Sequence, residues 1–169
     1  MRKDTLILIG IALTAIAVGI AIFVSGRGSL PEASRNVAEN QPAVVSVSFT
    51  EIAHGAKSTV TTRVNYVITS MDELNKLWKM IDATGKPPTI DFTTQSVIAV
   101  FAGKEPGSTI AVAKIEDAQT RTVSIAIAKP DSACTKKQST VSPYEIVAVP
   151  STSLPLAHED LSTTVSCPN

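Results

Sequence analysis

Residues 5 to 24 read Thr-Leu-Ile-Leu-Ile-Gly-Ile-Ala-Leu-Thr-Ala-Ile-Ala-Val-Gly-Ile-Ala-Ile-Phe-Val, twenty in succession without a charge. No other stretch restricts the chain's conformational choices so strongly. A bilayer core is about 30 Å thick and a helix rises about 1.5 Å per residue, so about 20 apolar residues cross it. Within lipid a helix satisfies its own backbone hydrogen bonds, which a lone strand cannot do. The run therefore reads as a single transmembrane helix. Arg2 and Lys3 form the positive flank expected to stay in the cytoplasm, and the far side carries Arg27 alone among Ser25, Gly26, Gly28 and Ser29. This makes residues 1–4 a cytoplasmic N-terminus and the run a signal-anchor of the cell membrane. A cleaved signal peptide is the alternative, but its apolar core usually spans about 7–15 residues. Val24-Ser25-Gly26 matches a cleavage site only weakly, and no cysteine follows the run to accept a lipid. Either way the C-terminal domain is expected to be extracytoplasmic.

Residues 25–43 are rich in Ser, Gly, Asn, Glu and Ala, with Pro31 and Pro42, and show neither strand nor helix periodicity. They read as a flexible linker. Residues 44–169 are then one exported domain, large enough to bury a core.

Strand patterns dominate that domain. Val45, Val47 and Phe49 alternate with Ser46, Ser48 and Thr50, the period of a half-buried strand. His54-Gly55 reads as a turn. Val60, Thr62, Val64, Tyr66 and Ile68 form a second strand, with Thr61, Arg63 and Asn65 opposite, and the two strands predict a hairpin. Ser96–Phe101, Ile110–Ile115 and Val123–Ile127 follow as a predicted antiparallel meander. Tyr144 to Val149, closed by Pro150, is the last strand, and Leu156–Leu161 is expected to be a short helical turn. One helix is well marked. Ser70 with Glu73 is a capping box, and Leu74, Leu77, Trp78 and Ile81 make an apolar stripe ending before Gly85, Pro87 and Pro88. The fold class expected is α+β: a mainly antiparallel, sandwich-like sheet with one packed amphipathic helix, preceded by the transmembrane helix.

Chemistry-bearing groups are sparse. Serines lack a G-x-S-x-G elbow. His54 and His158 lie in polar surroundings, and the adjacent side chains of His158-Glu159-Asp160 do not converge on one metal. Asp91, between Ile90 and Phe92, is the acid of interest, standing before the central strand in an apolar context. It is either a perturbed acid in a cleft or a turn former, and the second reading is the expected one. No catalytic residue, metal site or cofactor is expected. Outside residues 1–24 the chain holds 13 basic and 14 acidic residues with no basic stripe, which argues against a nucleic-acid partner. Tyr66, Trp78 and Tyr144 are the aromatic candidates for a pocket or interface, with packing as Trp78's default role. Cys134 and Cys167 both fall in the exported part, where oxidation can join them; two unpaired thiols are the alternative.

Pro88-Thr89-Ile90-Asp91-Phe92, then Val97-Ile98-Ala99-Val100-Phe101-Ala102-Gly103, then Gly107, Ile110-x-Val112 and Val141-Ser142-Pro143-Tyr144-Glu145-Ile146-Val147 resemble the C-terminal domain of the PrcB family. The resemblance covers roughly residues 60 to 150. It implies a non-catalytic bacterial cell-envelope protein that binds and stabilises an exported serine protease. Two departures stand out: family members often carry a Gly-Gly-aromatic turn where this chain has Gly107-Ser108-Thr109, and envelope members can be lipoproteins. Within the motif, Ile90 and Phe92 bracket Asp91 so that both can pack on one face. Gly103 and Gly107 are expected to supply backbone angles that a tight connection needs. Ile90, Asp91, Phe92, Gly103, Gly107, Pro143 and Tyr144 are thus structural expectations. Physically, such a domain reads as a binder of another envelope protein, with a small-molecule or glycan-binding module as the alternative.

Overall fold

The apolar runs at 95–101 and 144–150 are buried on both faces, so each becomes a central strand sandwiched between two layers. The computed structural model describes residues 42–134 and 139–166. The expected transmembrane run, nearly all of the linker, and Cys167 lie outside the described residues. Among the described residues no helix is long and apolar enough to cross a membrane.

In chain order the elements are β1 (Val45–Ser46), β2 (Thr50–Gly55), β3 (Val64–Ile68), α1 (Met71–Trp78), β4 (Gln95–Phe101), β5 (Glu105–Pro106), β6 (Thr109–Asp117), β7 (Arg121–Pro130), β8 (Thr140–Val141), β9 (Tyr144–Pro150) and β10 (Leu156–Val165). One sheet runs β1-β6-β7-β10 and the other β2-β9-β4-β3, with β5 and β8 forming a small separate pair. All pairings are antiparallel except β7 with β10, which is parallel.

Alternation on the central strands assigns the layers. Ile98 and Val100 of β4 and Val147 and Val149 of β9 meet Ile110, Val112 and Ile115 of β6 and Val123, Ile125 and Ile127 of β7 in one core between the sheets. Val97, Ala99, Phe101, Tyr144, Ile146 and Ala148 point the other way and are covered by Leu74 and Leu77 of α1. The result is a sandwich with a helix on one outer face.

The helix begins at the predicted cap, but the reciprocal bond of the box goes one residue further back than Ser70. Ser70 Oγ accepts the Glu73 N–H at 3.3 Å, and Glu73 reaches back to the Thr69 N–H at 2.8 Å. It stops at Trp78, one turn before the apolar stripe ends, and Ile81 instead forms an isolated bridge with Ser58.

Three strand expectations are corrected. The first strand is two: β1 pairs with β6 and β2 with β9, so no hairpin forms with β3, and His54-Gly55 ends β2 instead of turning the chain. A strand that changes sheets closes this side of the sandwich, and local alternation looks the same whether or not the partner changes. The meander is only a hairpin of β6 and β7, because β4 is apolar on both faces and takes the centre of the other sheet. Leu156–Val165 is a ten-residue strand instead of a helical turn. Its side chains are exposed on both faces, so it carries no apolar alternation, and its conformation is set by the free edge of β7.

Candidate functional site

β3 and β10 end their respective sheets on the same side of the sandwich, and Arg63 ties them together. Its guanidinium donates to both carboxylate oxygens of Asp160, at 2.9 and 2.5 Å, and also to the Asn65 side chain and the Phe101 carbonyl. Gly103 makes this placement feasible: it sits at φ +81°, and a Cβ there would come within 2.8–3.0 Å of the Thr61–Arg63 backbone. The positive φ of Gly103 and Gly107 fits the expectation from sequence.

Beside the Arg63–Asp160 pair a cleft of about 360 Å³ opens between the strands, with Val123 and Ile125 of the core as its floor. Its walls carry Arg63, Asn65 and Val67 on one side and Leu156 and His158 on the other. A second cleft of about 290 Å³ continues from it through the shared residues Val67 and Leu156 toward Thr69, Ser151 and Thr152. Together they form an apolar-floored groove with polar ends. Val67 and Leu156 are 48% and 43% exposed, unusual for large apolar residues in a core-facing position.

The backbone at this edge is open as well. Ala102 N–H donates to the Pro143 carbonyl at 3.1 Å, which fixes the ladder phase of β4. By alternation Val64, Tyr66 and Ile68 bond to β4, and Asn65 and Val67 present N–H and C=O outward. An edge of this kind is a template for another strand.

The residues singled out from sequence lie elsewhere. Tyr66, Trp78 and Tyr144 all belong to the core layer under α1. Tyr66 stacks edge-on to Phe101 at 5.8 Å, and Phe101 lies 6.0 Å from Tyr144. Tyr66 lines a shallow cleft with α1, Trp78 lines a different one near Gly85, and Tyr144 is 2% exposed. They share no cavity, and the Trp78 indole N–H has no acceptor among the described residues.

Asp91 is exposed and spent on a turn. Its carboxylate accepts the Thr93 N–H at 3.0 Å and the Thr93 and Thr94 hydroxyls at 2.6 and 3.1 Å. These bonds, the Thr93 hydroxyl first, hold its pKa below the usual aspartate value. Ile90 and Phe92 beside it both pack on the core layer under α1, as expected. Pro143 serves structurally, its carbonyl accepting from Ala102.

His158-Glu159-Asp160 is split by strand alternation: Asp160 turns inward to Arg63, and Glu159 turns outward to the Ser124 hydroxyl at 2.5 Å. Cys134 is buried, and Cys167 lies outside the described residues.

A second titratable group escaped the sequence reading. Glu145 is 7% exposed and points between the sheets, where its carboxylate accepts the Val112 N–H. Burial is the main cause that pushes its pKa up, with the neighbouring Glu51 adding to the rise. Glu51 in turn accepts from His54 Nδ1 at 2.6 Å, which raises the His54 pKa. The β6 strand has a register break between Val112 and Lys114, and the Glu145 carboxylate caps the amide beside it. The only legible signal was a charged residue inside an apolar run, Tyr144-Glu145-Ile146-Val147.

No family model, no curated protein and no solved structure matches this chain.

Proposed function

We propose that this protein is a membrane-anchored, non-catalytic, extracytoplasmic domain that binds another protein of the cell envelope. The observation that carries this reading is the open β3 edge beside the apolar-floored groove, where Asn65 and Val67 offer unpaired backbone groups and Val67 an exposed apolar side chain. An extended segment of a partner can add to such an edge, with main-chain bonds giving affinity and the groove selecting side chains. The run at 5–24 supplies the membrane attachment in this reading, and the linker at 25–43 its reach. The resemblance to the PrcB C-terminal domain makes an exported serine protease the candidate partner.

The alternative, a small-molecule or glycan-binding module, draws on the cleft's volume of about 360 Å³, inside the usual range for ligand pockets. It is the weaker reading, because none of the three candidate aromatic rings lines that cleft.

A photo-cross-linking residue placed at Val67 in the full chain tests the proposal in cells. A defined adduct with a second polypeptide from Val67, and none from exposed Thr89 outside the groove, is the expected result. Equal labelling from both positions, or from neither, would count against it.

A further inference from the structure

Among the described residues β10 is the longest edge strand. It runs ten residues, every one exposed, and contains neither lysine nor proline, the residues that most often blunt an edge strand. The phase of its hydrogen bonds follows from two contacts: Arg121 N–H donates to the Pro155 carbonyl at 2.8 Å, and Asp131 N–H to the Val165 carbonyl at 2.9 Å. In a parallel ladder bonded groups recur at every second residue. Odd-numbered residues of β10 therefore face β7, and Leu156, His158, Asp160, Ser162 and Thr164 present their N–H and C=O outward.

Charged side chains are the remaining defence of an edge, and here both acids are engaged within their own copy. Asp160 is neutralised by Arg63, and Glu159 is held by the Ser124 hydroxyl. Meanwhile Leu161 and Val165, 46% and 44% exposed, stand on the strand's outer face.

We infer that two copies of this chain pair through β10, antiparallel about a twofold axis at Leu161, joining their outer sheets into one continuous sheet. The register is selected by chemistry. Only outward-facing residues can exchange bonds, so even-numbered positions must oppose even-numbered ones. An axis at Glu159 sets that carboxylate directly against its own copy, where like charges are destabilising, and an axis at Asp160 sets Leu161 against Glu159. An axis at Ser162 sets Leu161 against Thr163 and Val165 against Glu159. With the axis at Leu161, Asp160 opposes Ser162 of the second copy and His158 opposes Thr164. On the outer face Leu161 meets Leu161, Ala157 meets Val165 and Glu159 meets Thr163. Every large apolar side chain of that face then has an apolar partner, and no like charges are opposed. This goes beyond the partner reading, which uses the β3 edge, and does not depend on it.

In this register Leu161 is a non-hydrogen-bonded pair with its own copy, with Cα atoms about 4.5 Å apart, within disulfide reach. The full chain carrying Leu161→Cys, oxidised with copper phenanthroline in intact cells, is expected to give a reducible species of doubled mass. The parent chain with Cys134 and Cys167 sets the background. Thr163→Cys, which faces Glu159, is expected to cross-link far less. Ala157→Cys with Val165→Cys is expected to cross-link as a pair and neither alone. Adding Ser162→Pro to Leu161→Cys removes one outward N–H, leaves the bonds to β7 intact, and is expected to abolish the doubled species. A Leu161→Cys chain that stays at single mass, or a Thr163→Cys chain that cross-links equally well, overturns the inference.

Discussion

Arg63 and Asp160 stand 97 positions apart and meet across the open side of the sandwich, guanidinium to carboxylate, at 2.9 and 2.5 Å. The pair is the polar clasp between the two sheets on the side where no strand crosses over. On the opposite side the chain itself makes the link, passing from β1 to β2.

The clasp is partly solvated, with side chains 25% and 31% exposed, so its pairwise worth is modest. A double-mutant cycle with Arg63→Ala and Asp160→Ala is expected to give a coupling of about 0.5–1 kcal/mol, read from denaturant midpoints. Arg63→Ala alone is expected to cost more, about 1–2 kcal/mol, because the Phe101 carbonyl and Asn65 lose a donor too. Equal losses for the two single variants would show that those extra bonds contribute nothing.

Arg63 also marks what the sequence could and could not disclose. Its strand, its facing opposite Val64 and Tyr66, and the helix that follows were all readable, because period two and a capping box are local signals. So were the strands at 96–101 and 144–149, the turn role of Asp91, and the special backbone angles at Gly103 and Gly107. The pairing of strands was not local. β1 and β2 read as one strand until their partners in different sheets are known. β10 lacks any pattern of its own, since both its faces meet water and only β7 orders it. With β10 unread, the edge groove, Leu156 and the Arg63–Asp160 clasp had no sequence signature. The aromatic residues misled for a related reason: Tyr66, Trp78 and Tyr144 look alike as candidates, but they serve one buried layer.

Gly55 is the residue on which Tyr144 depends. A Cβ at Gly55 would stand 2.8 Å from the Tyr144 ring, its hydroxyl and the Asp82 carboxylate that the hydroxyl bonds at 3.0 Å. Gly55→Ala is therefore expected to destabilise by about 1–3 kcal/mol, and less in a Tyr144→Phe background, where the clash with the hydroxyl is gone. Burial, then the Asp82 bond and charge, push the Tyr144 pKa from 10.0 up to about 12. Because the folded-state pKa is the higher one, this contribution to stability is complete below pH 10 and is lost between 10 and about 12. Phenolate absorbance in the native chain should show Tyr144 silent until that window. Tyr144 ionising with an unperturbed pKa would contradict the Asp82 bond.

The strand that sequence reading missed ends beside the turn that bears Cys134. Asp131 N–H bonds the Val165 carbonyl at 2.9 Å, at the end of β10, and Cys134 N–H bonds the Asp131 carbonyl at 2.8 Å. The turn bearing Cys134 thus sits where the chain leaves β10 two residues before Cys167. Joined, the two would close a loop of about 34 residues and stabilise the fold by roughly 3–4 kcal/mol on the chain-entropy model. In the oxidised chain both thiols are expected to resist alkylation until reduced, and Cys134→Ser to lower the denaturant midpoint accordingly. Ready alkylation of Cys167 in the folded, unreduced chain would rule the bridge out.

Glu145 is the buried charge whose removal separates two effects. Its carboxylate caps the Val112 N–H between the sheets, so Glu145→Ala leaves a buried donor without an acceptor and is expected to cost about 1–3 kcal/mol. Glu145→Gln keeps an acceptor oxygen and removes the ionisable group. Burial first, and then Glu51, raise the native pKa above the ordinary value of 4.5. A raised native pKa means that the folded state holds its proton longer than the unfolded one. The associated stability is therefore full below about pH 4.5 and declines as pH climbs through the native pKa. Glu145→Gln lacks that decline, so its stability relative to the parent should improve steadily from acid toward neutral pH. Urea midpoints of the two chains, measured side by side across that range, test this directly. A constant difference would mean that Glu145 ionises in the folded chain as freely as in the unfolded one, and that the Val112 amide and His54 fully offset its burial.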